Sequence, residues 1–214
     1  MRVGIAGYGV VGKTRHRSIV ANTSYQVTAI SESSEDARKS IPADSIVFND
    51  YKSLIANAEI DIIFISLPNQ FAAEATSLSL KKGLHVFCEK PPARTYHELL
   101  AVQNEALKFP ELKLMYGFNH RFHLSVEEAK SIIQGNSLGQ IINMKGVYGK
   151  SQMISFNQTD WRTNREASGG GILLDQGIHM LDLMRYLSGE NFTQVFSFID
   201  NAFWNFDVED NAYV

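Results

Sequence analysis

The chain has 214 residues, with 20 basic and 23 acidic side chains (formal net charge −3), 44% hydrophobic residues and one cysteine. That length accommodates one large domain or one full domain with a partial companion, and the apolar content excludes disorder. The balanced charge offers no electrostatic footprint for nucleic acid, the lone Cys88 excludes a disulfide framework and a multi-cysteine zinc site, and continuous apolar runs such as Ile62–Ile65 fall far short of a membrane span. An apolar strand pattern begins at Arg2, which leaves no room for a signal peptide, so a soluble, cytoplasmic protein of a reducing compartment is expected.

In chain order, short apolar runs predict strands at Val3–Ala6, Gln26–Ile30, Ser45–Phe48, Asp61–Ser66, Leu84–Phe87 and Lys113–Tyr116. Their continuous apolar character is that of strands buried on both faces of a parallel sheet. Helical periodicity fills the intervals at Val10–Asn22, Ser34–Ser40, Tyr51–Asn57, Gln70–Lys82 and Tyr96–Phe109. Gly83 and Pro110 stand where helices stop. Six strands alternating with helices predict a doubly wound α/β sheet of the dinucleotide-binding kind.

After about Asn119 the alternation ends. The pattern predicts a helix at Leu124–Gln134 and a strand at Gln140–Tyr148. A polar loop follows (Asn157, Thr159, Asp160, Asn164), then three glycines, an apolar helix at Ile172–Leu187 and strands at Thr193–Ala202 and Asp207–Val214. Helix followed by strands reads as α+β. The expected division is a nucleotide-binding domain over residues 1–120 and a partial second domain over 121–214.

Gly7-Tyr8-Gly9-Val10-Val11-Gly12 is a G-x-G-x-x-G that follows a strand and opens a helix, the context in which the motif is meaningful. The first glycine permits the tight turn, the second a close approach of a pyrophosphate, and the third close helix–strand packing. The amides of Val10 and Val11 at the helix N-terminus are then offered to phosphate. Glu32, at the end of the second strand, stands where an acidic residue would bind ribose hydroxyls. It would repel a 2′-phosphate, so NAD is favoured; the neighbouring Ser31 and Ser33 leave NADP open.

Lys90, in Cys88-Glu89-Lys90-Pro91-Pro92, lies at the C-terminal end of strand five, on the ligand edge of such sheets. Cys88 reads as a small packed residue. Further on, Gly169-Gly170-Gly171 leads into a helix on which Asp175, His179 and Asp182 share one face. A carboxylate beside an imidazole orients it and stabilises its protonated form. The same stripe is also compatible with a buried structural pair. No other cluster has metal-ligand spacing, so no metal is expected.

Gly7–Gly12, Glu89-Lys90-Pro91, Gly117-Phe118-Asn119-His120-Arg121-Phe122, Trp161-Arg162 and the helix carrying Asp175, His179 and Asp182 occur in this order. Together they resemble the glucose–fructose oxidoreductase/inositol dehydrogenase (Gfo/Idh/MocA) family across essentially the whole chain. The resemblance implies an N-terminal Rossmann domain and a C-terminal α+β domain with an open mixed sheet. It implies hydride transfer between NAD(P) and a secondary alcohol of a sugar, cyclitol or nucleotide sugar. Lys90, Asp175 and His179 would be catalytic, with His179 as general base, Asp175 orienting it and Lys90 stabilising the developing alkoxide.

By the same resemblance Gly7, Tyr8, Gly9, Val10, Val11, Gly12, Glu32, Ser66, Leu67, Pro68, Asn69, Glu89 and Lys90 would hold the cofactor. Asn119, Arg121, Trp161 and Arg162 would lie near the substrate. Two positions depart from the family pattern: Ala72 where many members have histidine, and His123 where many have proline. A homo-oligomer formed through the C-terminal sheet is implied. Val208–Val214 resembles an internal strand of that sheet, so the chain reads as a member cut short. A non-catalytic NAD(P)-binding sensor on the same fold is the alternative.

Overall fold

A computed structural model describes residues 1–136, 138–149 and 161–214. The chain divides into two compact units, Met1–Gly117 and Phe118–Val214.

The first unit is built as alternating strands and helices: β1 (Arg2–Ala6), α1 (Val10–Val20), β2 (Gln26–Ser31), α2 (Glu35–Arg38), β3 (Ile46–Phe48), α3 (Tyr51–Asn57), β4 (Ile62–Ile65), α4 (Asn69–Lys81), β5 (His85–Cys88), α5 (Tyr96–Ala106) and β6 (Leu114–Tyr116). All six strands are parallel, in the order β3-β2-β1-β4-β5-β6. The chain thus starts in the middle of the sheet, winds outward to one side and returns to wind outward on the other. The switch point lies between β1 and β4, where ligands bind in sheets of this order.

Strand side chains alternate between two apolar layers. Val3, Ile5, Val27 and Ile30 pack with Ile19 of α1 on one face. Ala6, Ile63, Ile65, Val86 and Cys88 pack with Leu54, Ala72 and Leu80 of α3 and α4 on the other. Short polar side chains start several helices: Asp50 accepts from the amide of Ser53, and Thr95 from that of Glu98. The six predicted strands and five predicted helices all form, with ends shifted by a few residues.

The second unit contains a 3-10 turn (Asn119–Phe122), α6 (Leu124–Gln134), a 3-10 turn (Trp161–Thr163), α7 (Arg165–Ser168), a π-helical turn (Leu173–Gly177), α8 (Ile178–Ser188), and the antiparallel pair β7 (Phe198–Asp200) and β8 (Asn211–Tyr213). Helix α6 matches its expected span. The strand expected at Gln140–Tyr148 does not form: residues 140–149 pair with no strand among the described residues, and Ile142 and Val147 are 97% and 82% exposed. Alternation supplies a face but not a partner, and a lone strand leaves its backbone groups to water. The last two expected strands shrink to three residues each. The expected loop residues Asn157, Thr159 and Asp160 lie outside the described residues. No described helix is long and apolar enough to cross a membrane.

Candidate functional site

The glycine-rich turn sits at the switch point. Gly7 takes φ +89°, and its amide donates to the carbonyl of Ser31 at the end of β2. A Cβ on Gly7 would lie 2.5 Å from the carbonyl oxygen of Ser66 after β4; one on Gly12 would lie 2.0 Å from that of Gly7. Both positions therefore exclude any side chain. Gly9 differs: a Cβ there would meet nothing within 4 Å. The space above Gly9 is open, as expected where an outside group must approach the backbone.

Gly9 caps α1 without a side chain to accept from its first amides, and Val10 is 85% exposed. The positive end of the helix dipole thus faces outward, an arrangement suited to an anion. Glu32 closes the other side. Its carboxylate accepts the amides of Tyr8 (2.8 Å) and Ser34 (2.9 Å), which holds it against the turn. The hydroxyls of Ser31 and Ser66, at the ends of β2 and β4, are buried and have no hydrogen-bond partner among the described residues. An open glycine, a bare helix N-terminus, a braced carboxylate and two unused hydroxyls on one sheet edge fit a dinucleotide.

Lys13 and Thr14 complete a second pattern, G-x-x-x-x-G-K-[ST] over residues 7–14, which in other proteins wraps a phosphate in a loop ahead of the helix. Here the helix already begins at Val10. Thr14 Oγ1 donates to the Val10 carbonyl at 3.0 Å, and Lys13 Nζ lies 6.0 Å from the Tyr8 ring centroid. The geometry is that of the shorter dinucleotide turn.

Ser66-Leu67-Pro68-Asn69 joins β4 to α4, with Pro68 at the helix cap and Asn69 buried. Glu89 and Lys90 follow β5, and the Lys90–Pro91 peptide bond is cis. Glu89 Oε1 accepts from Arg15 Nε at 2.6 Å. A Cβ on Gly117 would stand 2.7 Å from Glu89 Oε2, so the glycine after β6 makes room for this carboxylate. Cys88 is fully buried and burial pushes its thiol up to about 12, as befits a packing residue.

In the second unit two of the three glycines, Gly170 and Gly171, approach the chain itself. A Cβ on Gly171 would lie 1.9 Å from the Glu209 carbonyl oxygen. The Glu209 carboxylate accepts the amide of Gly171 (2.8 Å), and its carbonyl that of Ile172 (2.9 Å). The helix thus enters on a buried acidic residue and passes through the π turn that carries Asp175. Such bulges recur at functional sites. Asp175 Oδ2 accepts from the Gln176 side-chain amide at 2.7 Å.

His179 is 4% exposed at the start of α8, stacked on His120 with ring centroids 4.0 Å apart. Asp182 belongs to a different set. It receives Arg121 through Nε (2.8 Å) and a terminal guanidinium nitrogen, and this guanidinium also lies over the rings of Tyr186 and Phe118. Asn119 is exposed at the start of the 3-10 turn, and the Arg162 guanidinium lies 4.5 Å from the centroid of the adjacent Trp161 ring. Lys90 belongs to the first unit, and Asp175 and His179 belong to the second.

Three residues of this chemistry were not expected from the sequence: Arg15, His120 and Glu209. Each acts through a partner 38 to 74 positions away. Only His120 carried a signal, its place within Gly117–Phe122.

A family model described as the oxidoreductase family, NAD-binding Rossmann fold, matches residues 1–118, and one for the GFO/IDH/MocA C-terminal domain matches residues 126–214. D-glucoside 3-dehydrogenase of Escherichia coli K12 is 30% identical over 195 residues, 88% of this chain and 54% of that protein. The crystal structure of myo-inositol 2-dehydrogenase from Lactobacillus plantarum superposes with a TM-score of 0.77 at 25% identity, covering 94% of this chain and 60% of that one. The WlbA dehydrogenase of Bordetella pertussis, solved with NADH and UDP-GlcNAcA, superposes at 0.85 with 18% identity over 99% of this chain and 62% of that one, a likeness of fold. The chain spans about half the length of the curated relatives it matches.

Proposed function

The chain belongs to the GFO/IDH/MocA oxidoreductase family, and from that premise we propose that it is an NAD(P)-dependent dehydrogenase acting on a secondary alcohol of a sugar, cyclitol or nucleotide sugar. The observation that carries this reading is the turn at the switch point. Gly7 and Gly12 are closed by backbone, Gly9 is open, and Glu32 is braced beside it. Gly7 through Gly12 with Glu32 hold the dinucleotide, and Ser66–Asn69, Glu89 and Lys90 stand along the same sheet edge for its nicotinamide half. NAD is the preferred form, because the Glu32 carboxylate repels a 2′-phosphate.

The bound nicotinamide supplies the hydride chemistry. The residues of the chain manage the proton and the charge. His179 accepts the hydroxyl proton in the oxidative direction, with Asp175 orienting it. Lys90 brings a positive charge to the hydroxyl oxygen and stabilises the developing alkoxide. Asn119, Arg121, Trp161 and Arg162 surround the substrate, and the bidentate bond to Asp182 holds Arg121 in place for this role.

The protein is cytoplasmic in this reading and assembles as a homo-oligomer through the second unit. Support comes from the exposed Phe196 just before β7, Phe198 on β7 and Tyr213 on β8. The residues divide into a nucleotide-binding domain over 1–120 and a substrate domain over 121–214.

Binding of NADH, followed by fluorescence, and turnover of a panel of cyclitols and pyranosides test the assignment together. Lys90→Ala and His179→Ala should each lower kcat by about 10²–10⁴-fold with NADH affinity preserved. NADH binding without turnover of any polyol would return the protein to a sensor, and full activity in both variants would overturn the roles.

A further inference from the structure

His179 is surrounded by rings. His120 lies on its face with planes 19° from parallel at 4.0 Å, and Phe118 meets it edge-on at 6.2 Å and 87°. Tyr148 is nearly parallel to both imidazoles, 5.8 Å from His120 and 6.5 Å from His179. The edge of His123 in turn meets His120 at 5.3 Å and 88°. The three-ring stack draws on separate stretches of the unit: the 3-10 turn, the segment before residue 150, and α8.

Rotation about the last side-chain torsion of a histidine is broad and roughly two-fold, so the ring plane must be set by its surroundings. A flat neighbour at 4.0 Å sets it, because tilting the His179 ring would drive its edge into His120. A group that takes a proton must be held to within about 0.5 Å and 10–20° of its productive geometry.

We propose that His120 is a positioning residue whose stacked imidazole sets the plane of the His179 ring. The inference rests on the reading of His179 as proton acceptor. What His120 contributes under it is shape, a planar ring at that place, so another planar side chain should replace it.

The test uses the full chain with His120→Ala and His120→Phe beside His179→Ala. NMR of histidine-labelled protein reads the stack directly. The His179 ring protons should move downfield in His120→Ala, as the ring current above them is lost, and stay upfield in His120→Phe. With the cyclitol or pyranoside turned over fastest, His120→Ala should lower kcat by about 10–100-fold at unchanged NADH affinity. His120→Phe should restore it to within about threefold.

Unchanged His179 shifts in His120→Ala, or a loss of turnover that phenylalanine does not repair, would overturn the proposal. An inactive His179→Ala beside a fully active His120→Ala removes this inference alone. A fully active His179→Ala removes the acid–base reading itself. Where no polyol is turned over, the ring shifts decide.

Discussion

Arg15 of α1 donates from Nε to Glu89 Oε1 at 2.6 Å, and its guanidinium lies 4.9 Å over the ring of Phe87. The helix that begins at the glycine turn is thereby tied to the end of β5, one residue before Lys90. The pair is three-quarters or more buried, with side-chain exposures of 25% and 16%. It joins the two ends of the proposed cofactor site, the pyrophosphate turn and the residues beside the nicotinamide.

Removing the arginine leaves a largely buried carboxylate without this partner, which costs about 1–3 kcal/mol. Arg15→Met keeps the apolar stem over Phe87 and removes the charge. It should lower the urea unfolding free energy by that amount and weaken NADH binding measured by fluorescence titration. Unchanged values for both would show that the ion pair is incidental to stability and site alike.

Glu32 supports a second prediction. Its carboxylate is braced by the amides of Tyr8 and Ser34 at the turn, so it cannot swing away from a 2′-phosphate without giving up both bonds. NADH should bind at least about tenfold more tightly than NADPH, a difference of about 1.4 kcal/mol. Glu32→Ser should narrow the gap mainly by improving NADPH. Parallel titrations of both cofactors measure it, and a clear NADPH preference in the unaltered protein would remove Glu32 from the site.

The first unit was legible because its central strands β1 and β4 are largely buried on both faces and spelled as nearly unbroken apolar runs. The partly exposed edge strands β3 and β6 (Ile46 62% and Met115 46% exposed) were marked by their place in the strand–helix alternation. The glycine turn was legible because its requirements are local: Gly7, Gly12 and the strand ends they touch lie within one winding of the sheet. The second unit was less so. Gln140–Tyr148 alternates like a strand, yet Gly146 lies against Met180 and Met184 of α8 and no strand among the described residues pairs with the segment. The three glycines announced a close approach, but its target, Glu209, is 38 residues from Gly171. The π turn within the expected helix begins just after that contact, a consequence of tertiary structure that no period in the sequence records. His120 was in view within a quoted motif, and its importance depends on a ring 59 positions later.

His16 sets a pH dependence. It is buried against Tyr8, whose hydroxyl stands 2.7 Å from its Nδ1, and burial pulls its pKa below the usual histidine value. The unfolded chain then binds more protons than the folded one between the two pKa values. The neutral ring's contribution is fully present above the ordinary value of about 6.5 and is lost as pH falls through it toward the folded value. Urea unfolding at about pH 7.5, 6.5 and 5.5 should show stability falling in that order. His16→Gln should flatten the slope, and an equal slope in that variant would assign the effect to other groups.

Gly9 and Gly12 separate binding from folding within one motif. A methyl group on Gly12 would sit 2.0 Å from the Gly7 carbonyl oxygen, a backbone atom that cannot move without displacing the turn. Gly12→Ala should therefore destabilise the protein by about 1–3 kcal/mol or more, the usual cost of overpacking a closed site. A methyl on Gly9 meets nothing within 4 Å, and its φ of −71° and ψ of −161° are extended values open to alanine. Gly9→Ala should keep the thermal midpoint and weaken NADH binding, since the methyl occupies the space where the pyrophosphate would approach. Thermal unfolding beside NADH titration distinguishes the two, and a Gly9→Ala variant that binds NADH as well as the unaltered protein would mean that the open space above this glycine is not where the cofactor lies.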